Sequence, residues 1–396
     1  MFTTSTSCSS GAPRHQRSLD FGAGHRLSLE SAIATFRSLP YKNGGMASRS
    51  WGHPRHSVCS FPSKMKPALA ATLVSLFTEK GGVVLDPFSG SGTVPFEAAL
   101  QGRRALATDI STLGHVISSA KICPPSSKAG WAMLNALEDA VSSNWRIVDP
   151  SEMESEILDF YHERTAAEIL AARRFLRKVT AEFQKDEAGL FLAACMVHLL
   201  HGNRPYALSR RSHNIIPIPP KGPRHYKSVI GALRDKVSRV FASSLSADFI
   251  DGQSLQCSAD RLPFAEQSVD AIITSPPFLG TTDFLRQNRI RLWFLGWDYS
   301  VQAAHKRDFL EHDYHPDRFR SILRELHRVA RPGCVVVFHV GFVKKFSMTE
   351  FLAPLFEESG FTEAGRVRED TSDLESHGRT DRGGTHTHEF LILKSS

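Results

Sequence analysis

The stretch Val83-Val84-Leu85-Asp86-Pro87-Phe88-Ser89-Gly90-Ser91-Gly92-Thr93 decides the fold. Its first four residues follow Gly81-Gly82 and are apolar up to the closing acid. Such a run reads as a buried strand of a parallel sheet. A glycine-rich turn over 87–92 follows, then a helical pattern over 93–101. Residues 104–108 (RALAT) read as a second strand, closed by Asp109. Strand, turn, helix and strand make a βαβ unit, the building block of an open parallel α/β sheet. In such sheets ligands bind at the carboxyl ends of the strands, where this turn lies. Glycines let the backbone approach a ligand, and the helix N-terminus offers free N–H groups.

Working outward, a helix is expected over 67–77, with Pro67 as its first residue. Another helical pattern covers 27–36, and 43–57 reads as loop. Residues 1–25, rich in Ser, Thr and Gly, read as a disordered tail. Downstream, helices are expected over 152–161, 164–183, 187–201, 226–241 and 318–330, with a loop over 202–223. Strands are expected over 269–274 (VDAIIT), 334–340 (CVVVFHV) and 390–393, and Arg331-Pro332-Gly333 reads as a turn. The chain therefore divides into the tail, a first part of an α/β domain (26–120), a helical and basic insertion (121–250) and a second part of the α/β domain (251–396).

Composition narrows the class. With 396 residues, 41% hydrophobic and 22% charged, the chain can bury one large core or two smaller ones. Collagen, low-complexity and disulfide-scaffold classes are excluded. The six cysteines are scattered without a Cys-x-x-Cys pair, which argues against a zinc ribbon or redox motif and for reduced thiols. No apolar run approaches the roughly 20 residues that span a bilayer, and the first residues lack the apolar core of a secretory signal. A soluble cytoplasmic protein without a membrane partner is expected.

The glycine turn admits several ligands. An ATP-type loop needs a lysine after Gly92, and Thr93 stands there. A dinucleotide fingerprint needs a third glycine or alanine where Pro95 stands. What remains is an acid at each of two neighbouring strand ends, Asp86 and Asp109, 23 residues apart. Asp109 could accept the two hydroxyls of a ribose, and Asp86 could meet a cationic amino-acid group. This charge pattern suits S-adenosylmethionine. The plainer alternative is a tight turn made by Gly90 and Gly92, with Asp109 capping a helix.

Thr274-Ser275-Pro276-Pro277-Phe278 follows a buried strand directly. Two prolines cannot continue a central ladder, so they stiffen a loop at the same sheet edge. An exocyclic base amine is a poor nucleophile because its lone pair is delocalised into the ring. The Ser275 hydroxyl and Pro276 carbonyl, rigidly held, could accept its two protons and localise that pair. Phe278 offers a flat face for a flipped-out base. A rigid turn with a buried phenylalanine is the plainer alternative.

DPFSGSGT followed by TSPPF resembles the amino-methylating DNA methyltransferases, which modify cytosine N4 or adenine N6. The Ser-Pro-Pro-Phe form is most similar to the N4-cytosine members. Residues 61–67 (FPSKMKP) resemble the family's motif X, which packs over the methionine end of the cofactor. Residues 258–264 (SADRLPF) resemble the third-strand motif, whose Asp meets the adenine amine. Residues 328–333 (RVARPG) resemble the helix-to-strand turn of class I methyltransferases. The resemblance implies a Rossmann-like, mostly parallel sheet with helices on both faces, interrupted by the insertion. It implies S-adenosylmethionine at Lys66, Asp86, Phe88, Gly90, Gly92, Thr93, Asp109 and Asp260. It implies amine methylation at Ser275, Pro276, Pro277 and Phe278. The motif order is X, glycine, Pro-Pro, whereas most N4-cytosine members are circularly permuted, so adenine or an RNA base stays open as the acceptor. No Pro-Cys dipeptide is present, which disfavours covalent chemistry on a ring carbon.

The insertion carries the charge. Between His201 and Leu245 nine bases face one acid, a net +8 against +7 for the whole chain. Arg210, Arg211, His213, Lys221, Arg224 and Lys227 are the candidates for nucleic-acid contact. A solvated basic face is the alternative. Double-stranded DNA is the expected partner, with RNA as the alternative. A cognate restriction endonuclease follows from the resemblance alone, and DNA binding would make the protein nucleoid-associated. Two rivals remain: a tRNA or rRNA amino-methyltransferase, and a non-catalytic DNA-binding protein on the same fold. His386 and His388 lack a third metal ligand at fitting spacing and read as solvated residues of a loop, so no metal is expected. Residues 288–294 (NRIRLWF) read as a helix whose Asn and Arg either pack or reach the substrate.

Overall fold

The structure is a computed structural model that describes residues 27–48, 51–61, 64–202, 204–209, 216–219, 221–281, 283–312, 314–343, 345–370 and 385–396. Its first elements are α1 (Leu29–Phe36), α2 (Pro67–Phe77), β1 (Val83–Asp86), α3 (Thr93–Leu100), β2 (Arg104–Asp109) and α4 (Thr112–Ile122). The insertion follows as α5 (Ser127–Asn144), α6 (Ser155–Leu158), α7 (Glu163–Val179), α8 (Glu187–Leu200) and α9 (Val229–Phe241). The sheet resumes with β3 (Gln253–Gln256) and β4 (Val269–Thr274). After α10 (Phe284–Phe294), α11 (Tyr299–Ala304) and α12 (Pro316–Val329) come β5 (Ala330–Val343) and the two-residue β6 (Phe346–Ser347). The last elements are α13 (Met348–Glu358), β7 (Phe361–Asp370) and β8 (Thr385–Ser395).

The strands lie in the order β3-β2-β1-β4-β5-β8-β7, with β6 beside β5. Pairings from β3 through β5 are parallel, while β8 runs antiparallel to both β5 and β7. Side chains alternate between two packed layers. Val84, Ile273, Val337 and Ile392 face α1, α2 and α3. Leu85, Ile272, Val336 and Leu391 face α12 and α13. The expected fold class, a mostly parallel sheet covered on both faces, is the one observed. The insertion shares its core with the sheet domain: Leu113, Val116 and Ile117 of α4 pack with Leu190 and Val197 of α8 and with Leu292 of α10.

Several expectations are corrected. Arg331-Pro332-Gly333 is not a turn outside the sheet but a bulge inside β5. The partners shift from Val269↔Ala330 to Ala271↔Val335, which leaves extra residues on β5. Gly333 takes φ +81° there, a conformation glycine adopts without a Cβ clash. The helix expected over 164–183 ends at Val179, because Ala181, Glu182 and Phe183 are all left-handed. The helix expected over 152–161 contracts to a 3₁₀ turn and the single-turn α6. The last strand is 11 residues long and includes His386 and His388, so they do not lie in a loop. The disordered tail over 1–25 lies outside the described residues. No described helix is long and apolar enough to cross a membrane. The five described cysteines are free thiols.

Candidate active site

β1 pairs with β2 on one side and β4 on the other, so their carboxyl ends open one crevice. A cavity of about 1110 Å³ occupies it. Both motifs line it: Asp86, Phe88, Gly90 and Thr93 from the glycine turn, and Ser275, Pro276, Pro277 and Phe278 from the Pro-Pro loop. Lys66, Asp109 and Asp260 line it too. Gly92 alone among the expected cofactor residues does not. It caps α3 in the left-handed region at φ +65°, and a Cβ there would lie 2.8 Å from Ser118 Oγ. Gly92 therefore serves the close packing of α3 on α4.

The two motifs are physically coupled. Thr274 Oγ1, at the end of β4, donates to Asp86 Oδ1 at 2.6 Å, and Phe88 N donates to the same oxygen at 3.2 Å. Burial pushes the Asp86 carboxyl up to about 7. Asp109 organises the turn from the next strand. Its Oδ2 accepts from Gly90 N at 2.8 Å, and its Oδ1 accepts from Ser111 N at 2.8 Å and Ser111 Oγ at 2.7 Å. Burial raises the Asp109 carboxyl as well, against those hydrogen bonds, and its charge also raises Asp86. Two donors fill Oδ1 of each carboxylate, so capacity for a further donor lies at the two Oδ2 oxygens. Beneath the turn, the buried Lys121 ammonium donates to Ser91 O, and burial lowers it to about 7. Phe61, Lys64, Met65, Lys66 and Pro67 line one wall of the crevice. Just upstream, His56 Nε2 lies 2.6 Å from Glu97 Oε1, which ties this wall to α3.

The third-strand motif is clamped by α12. Glu325 accepts from Leu262 N at 2.7 Å, and Arg328 donates to Leu262 O and Phe264 O, each at 3.0 Å. Arg328, noticed for its place in a turn motif, thus fixes the loop that carries Asp260.

The Pro-Pro loop is held from both sides. The Tyr314 hydroxyl donates to Pro277 O. Phe278 packs with ring centroids 5.7 Å from His339 and 5.8 Å from His388. It lies over Gly341, where a Cβ would come within 2.8 Å of its ring. His339 Nε2 and His388 Nδ1 are 3.0 Å apart. His388 is therefore no solvated residue: it sits on β8 beside the Pro-Pro loop. Among the described residues no group of three or more His, Cys, Asp or Glu could hold a metal ion. Tyr314, His339, Glu311 and the aromatic wall of Phe284 and Phe309 escaped the sequence reading, for no motif marks them.

The basic insertion gives a mixed picture. Arg210, Arg211 and His213 lie outside the described residues. Lys221 and Arg224 are exposed, with Arg224 3.9 Å from Asp159. Lys227 donates to Ala207 O and, at 2.8 Å, to Ser209 O, and Lys236 donates to Ser57 O at 2.6 Å. Both ammonium groups serve the packing of the loop and of α9. In α10, Asn288 donates to Phe284 O at 3.0 Å, and Arg291 donates to Ser60 O and Val197 O. Asn288 nevertheless lines the cavity.

The sheet has the strand order of the class I methyltransferase fold. Residues 29–114 match the N6_N4_Mtase family model, described as DNA methylase. Over that span the chain is similar to the amino-methylating family that its motifs resemble. No curated protein matches the chain. Among solved structures it is similar to TrmN from Thermus thermophilus, with 14% identity over 87% of this chain and 52% of that one and a TM-score of 0.31. It is similar to a TehB-like SAM-dependent methyltransferase from Corynebacterium glutamicum, with 8% identity over 93% of this chain and 97% of that one and a TM-score of 0.32. The rRNA methyltransferase aviRa from Streptomyces viridochromogenes gives 11% identity over 85% of this chain and 88% of that one, with a TM-score of 0.32. The chain thus spans about half the length of TrmN.

Proposed function

We propose that the protein methylates the N4 amine of cytosine in double-stranded DNA, with S-adenosylmethionine as the methyl donor. The observation that carries this reading is the Thr274–Asp86 hydrogen bond, which locks the Ser-Pro-Pro-Phe loop against the glycine turn across one cavity. The cavity's donor set fits the cofactor. Three acids, Asp86, Asp109 and Asp260, line it, and the charge of Asp109 raises the buried Asp86. A ligand carrying an ammonium and a sulfonium relieves that repulsion, whereas a pyrophosphate would add to it. Asp86 would hold the ammonium, Asp109 the ribose hydroxyls and Asp260 the adenine amine. Lys66, with Phe61, Lys64 and Met65 on the same wall, would meet the methionine end. The cofactor supplies a methyl group on a positively charged sulfur, open to in-line displacement.

The protein's part is positioning. Ser275 Oγ and Pro276 O accept the two amine protons and draw the nitrogen toward tetrahedral geometry, and Phe278 flanks the base. Transfer would form the N–C bond as the S–C bond breaks, leave the electron pair on sulfur, and release one amine proton to water. Lys221 and Arg224, with Arg210, Arg211 and His213, would meet phosphates. A role as the modifying partner of a restriction endonuclease fits this chemistry. Purified protein with methyl-labelled cofactor should label duplex DNA and leave total RNA unlabelled. Label confined to RNA would move the reading to an RNA amine, and label in neither would overturn it.

Asp86 gives the cofactor site a pH signature. Below about 7 the carboxyl is protonated and its attraction for an ammonium is lost. Cofactor affinity is therefore expected to rise as pH climbs through about 7, then fall as the ligand's own α-amine loses its proton near about 8. Calorimetry on Asp86→Asn should show affinity about tenfold weaker with the rising limb gone. A variant that keeps the rising limb would assign that titration to another group.

A further inference from the structure

Glu311 is the least explained polar group of the cavity. It is only 2% exposed and lines the same space as Ser275 and Pro276. Its backbone carbonyl accepts from Gly280 N at 3.0 Å, so it is fastened to the Pro-Pro loop. Its Oε1 accepts from Phe284 N at 3.2 Å, at the first turn of α10. Its Oε2 is buried and meets no hydrogen-bond partner among the described residues. Buried carboxyl oxygens are seldom left so. One turn along α10 from Phe284, Gln287 Oε1 is likewise buried and unpartnered, and Gln287 lines the cavity as well. Phe284 and Phe309 stack with centroids 5.2 Å apart, and Phe61 lies 5.8 Å from Phe284, so this end of the cavity is walled by aromatic rings.

We propose that Glu311 reads the target base, its free carboxyl oxygen donating to the unprotonated ring nitrogen beside the amine that is methylated. The inference rests on the base-amine reading and adds to it the group that recognises the substrate. An amino base presents a bare ring nitrogen next to its amine, N3 in cytosine and N1 in adenine. A keto base presents an N–H at that place. A neutral carboxyl offers one O–H donor there, and an ionised carboxylate offers only acceptors. With its other oxygen held by Phe284 N, Glu311 discriminates amino from keto bases at the ring edge, where a mismatch leaves a buried polar group unpaired.

The surroundings favour the neutral carboxyl, against the hydrogen bond from Phe284 N. Burial raises it to about 7, and the negative charges of Asp283 at the start of α10 and Asp109 at the end of β2 push the same way. Tyr314 also faces it, and burial holds its hydroxyl protonated. The donor is present below about 7 and is lost as pH rises through that value, so substrate binding weakens on the alkaline side.

The test uses the full chain, plasmid DNA and total RNA as acceptors, and methyl-labelled S-adenosylmethionine. Glu311→Leu is expected to raise KM for nucleic acid at least about tenfold, with cofactor affinity within about twofold of wild type. Glu311→Gln keeps an N–H donor that does not ionise. It should stay within about threefold of wild type near pH 6.5 and exceed it near pH 8.5, with the alkaline rise in KM removed. Wild-type KM in Glu311→Leu, or an unchanged alkaline rise in Glu311→Gln, would overturn the role of Glu311 and leave the base-amine reading standing. A wild-type chain that binds cofactor and labels neither nucleic acid would overturn both.

Discussion

Alanine at position 275 is expected to slow methyl transfer by about 10²-fold or more, because a preorganised group aimed at developing charge contributes on that scale. The cofactor should still bind within about twofold, since Asp86, Asp109 and Asp260 are untouched. The split follows from the geometry. Thr274, one residue earlier, makes the bond to Asp86 that couples the loop to the glycine turn. Tyr314 holds Pro277 from the other side. Ser275 sits between two fixed points, so removing its hydroxyl deletes one acceptor without releasing the loop. The loss should appear in kcat rather than in KM, as expected of an interaction made mainly in the transition state. Single-turnover transfer in Ser275→Ala at the wild-type rate would show that the hydroxyl does not accept the amine proton.

Gly114→Ala is expected to damage both stability and cofactor binding. Gly114 lies in the first turn of α4, against the side of Asp109. A Cβ there would stand 2.3 Å from Asp109 Cγ and 2.6 Å from its Oδ2. No side chain fits that gap, so Asp109 must move, and with it the hydrogen bonds to Gly90 and Ser111. Overpacking together with lost charge-assisted hydrogen bonds should lower stability by about 3 kcal/mol. Cofactor affinity should fall at least about tenfold, since both the ribose acceptor and the turn are displaced. Thermal unfolding and calorimetry on the same preparation read the two effects. A stable variant with wild-type cofactor affinity would remove Asp109 from the ribose site.

How far the sequence could be read depended on where each element lies in the sheet. β1, β4 and the core of β5 are central strands covered on both faces, so VVLD, VDAIIT and CVVVFHV stand out as apolar runs. β3 and β7 are edge strands. QSLQ and FTEAGRVRED carry polar side chains because only part of each is covered, and neither announces a strand. α5 was missed for a related reason. Its apolar stripe is only Leu134, Leu137 and Val141 above Gly130, along 18 largely exposed residues. His388 looked like a solvated loop residue because THTH carries no apolar signal, yet Thr385 and Thr387 alternate inward as buried strand positions.

The candidate site divides the same way. Residues whose roles depend on the local backbone, such as Gly90, Asp86 and the two prolines, were visible because a turn at a strand end needs those residue types at that spacing. Residues that act from a distant segment were not. Glu311 meets the Pro-Pro loop only because residues 306–312 fold back over α10. Arg328 reaches Leu262 across more than 60 positions. Lys227 shows the converse error. A lysine in a basic stretch reads as a phosphate ligand, and the fold places its ammonium on carbonyls of its own loop.

Mass spectrometry of nucleosides decides whether this crevice methylates a base amine in DNA. Plasmid DNA from cells producing the wild-type chain should contain N4-methylcytosine, and DNA from cells producing Ser275→Ala should contain far less. N6-methyladenine alone would move the acceptor to adenine. DNA free of both methylated bases, with the wild-type chain folded and binding cofactor, would contradict the proposed activity.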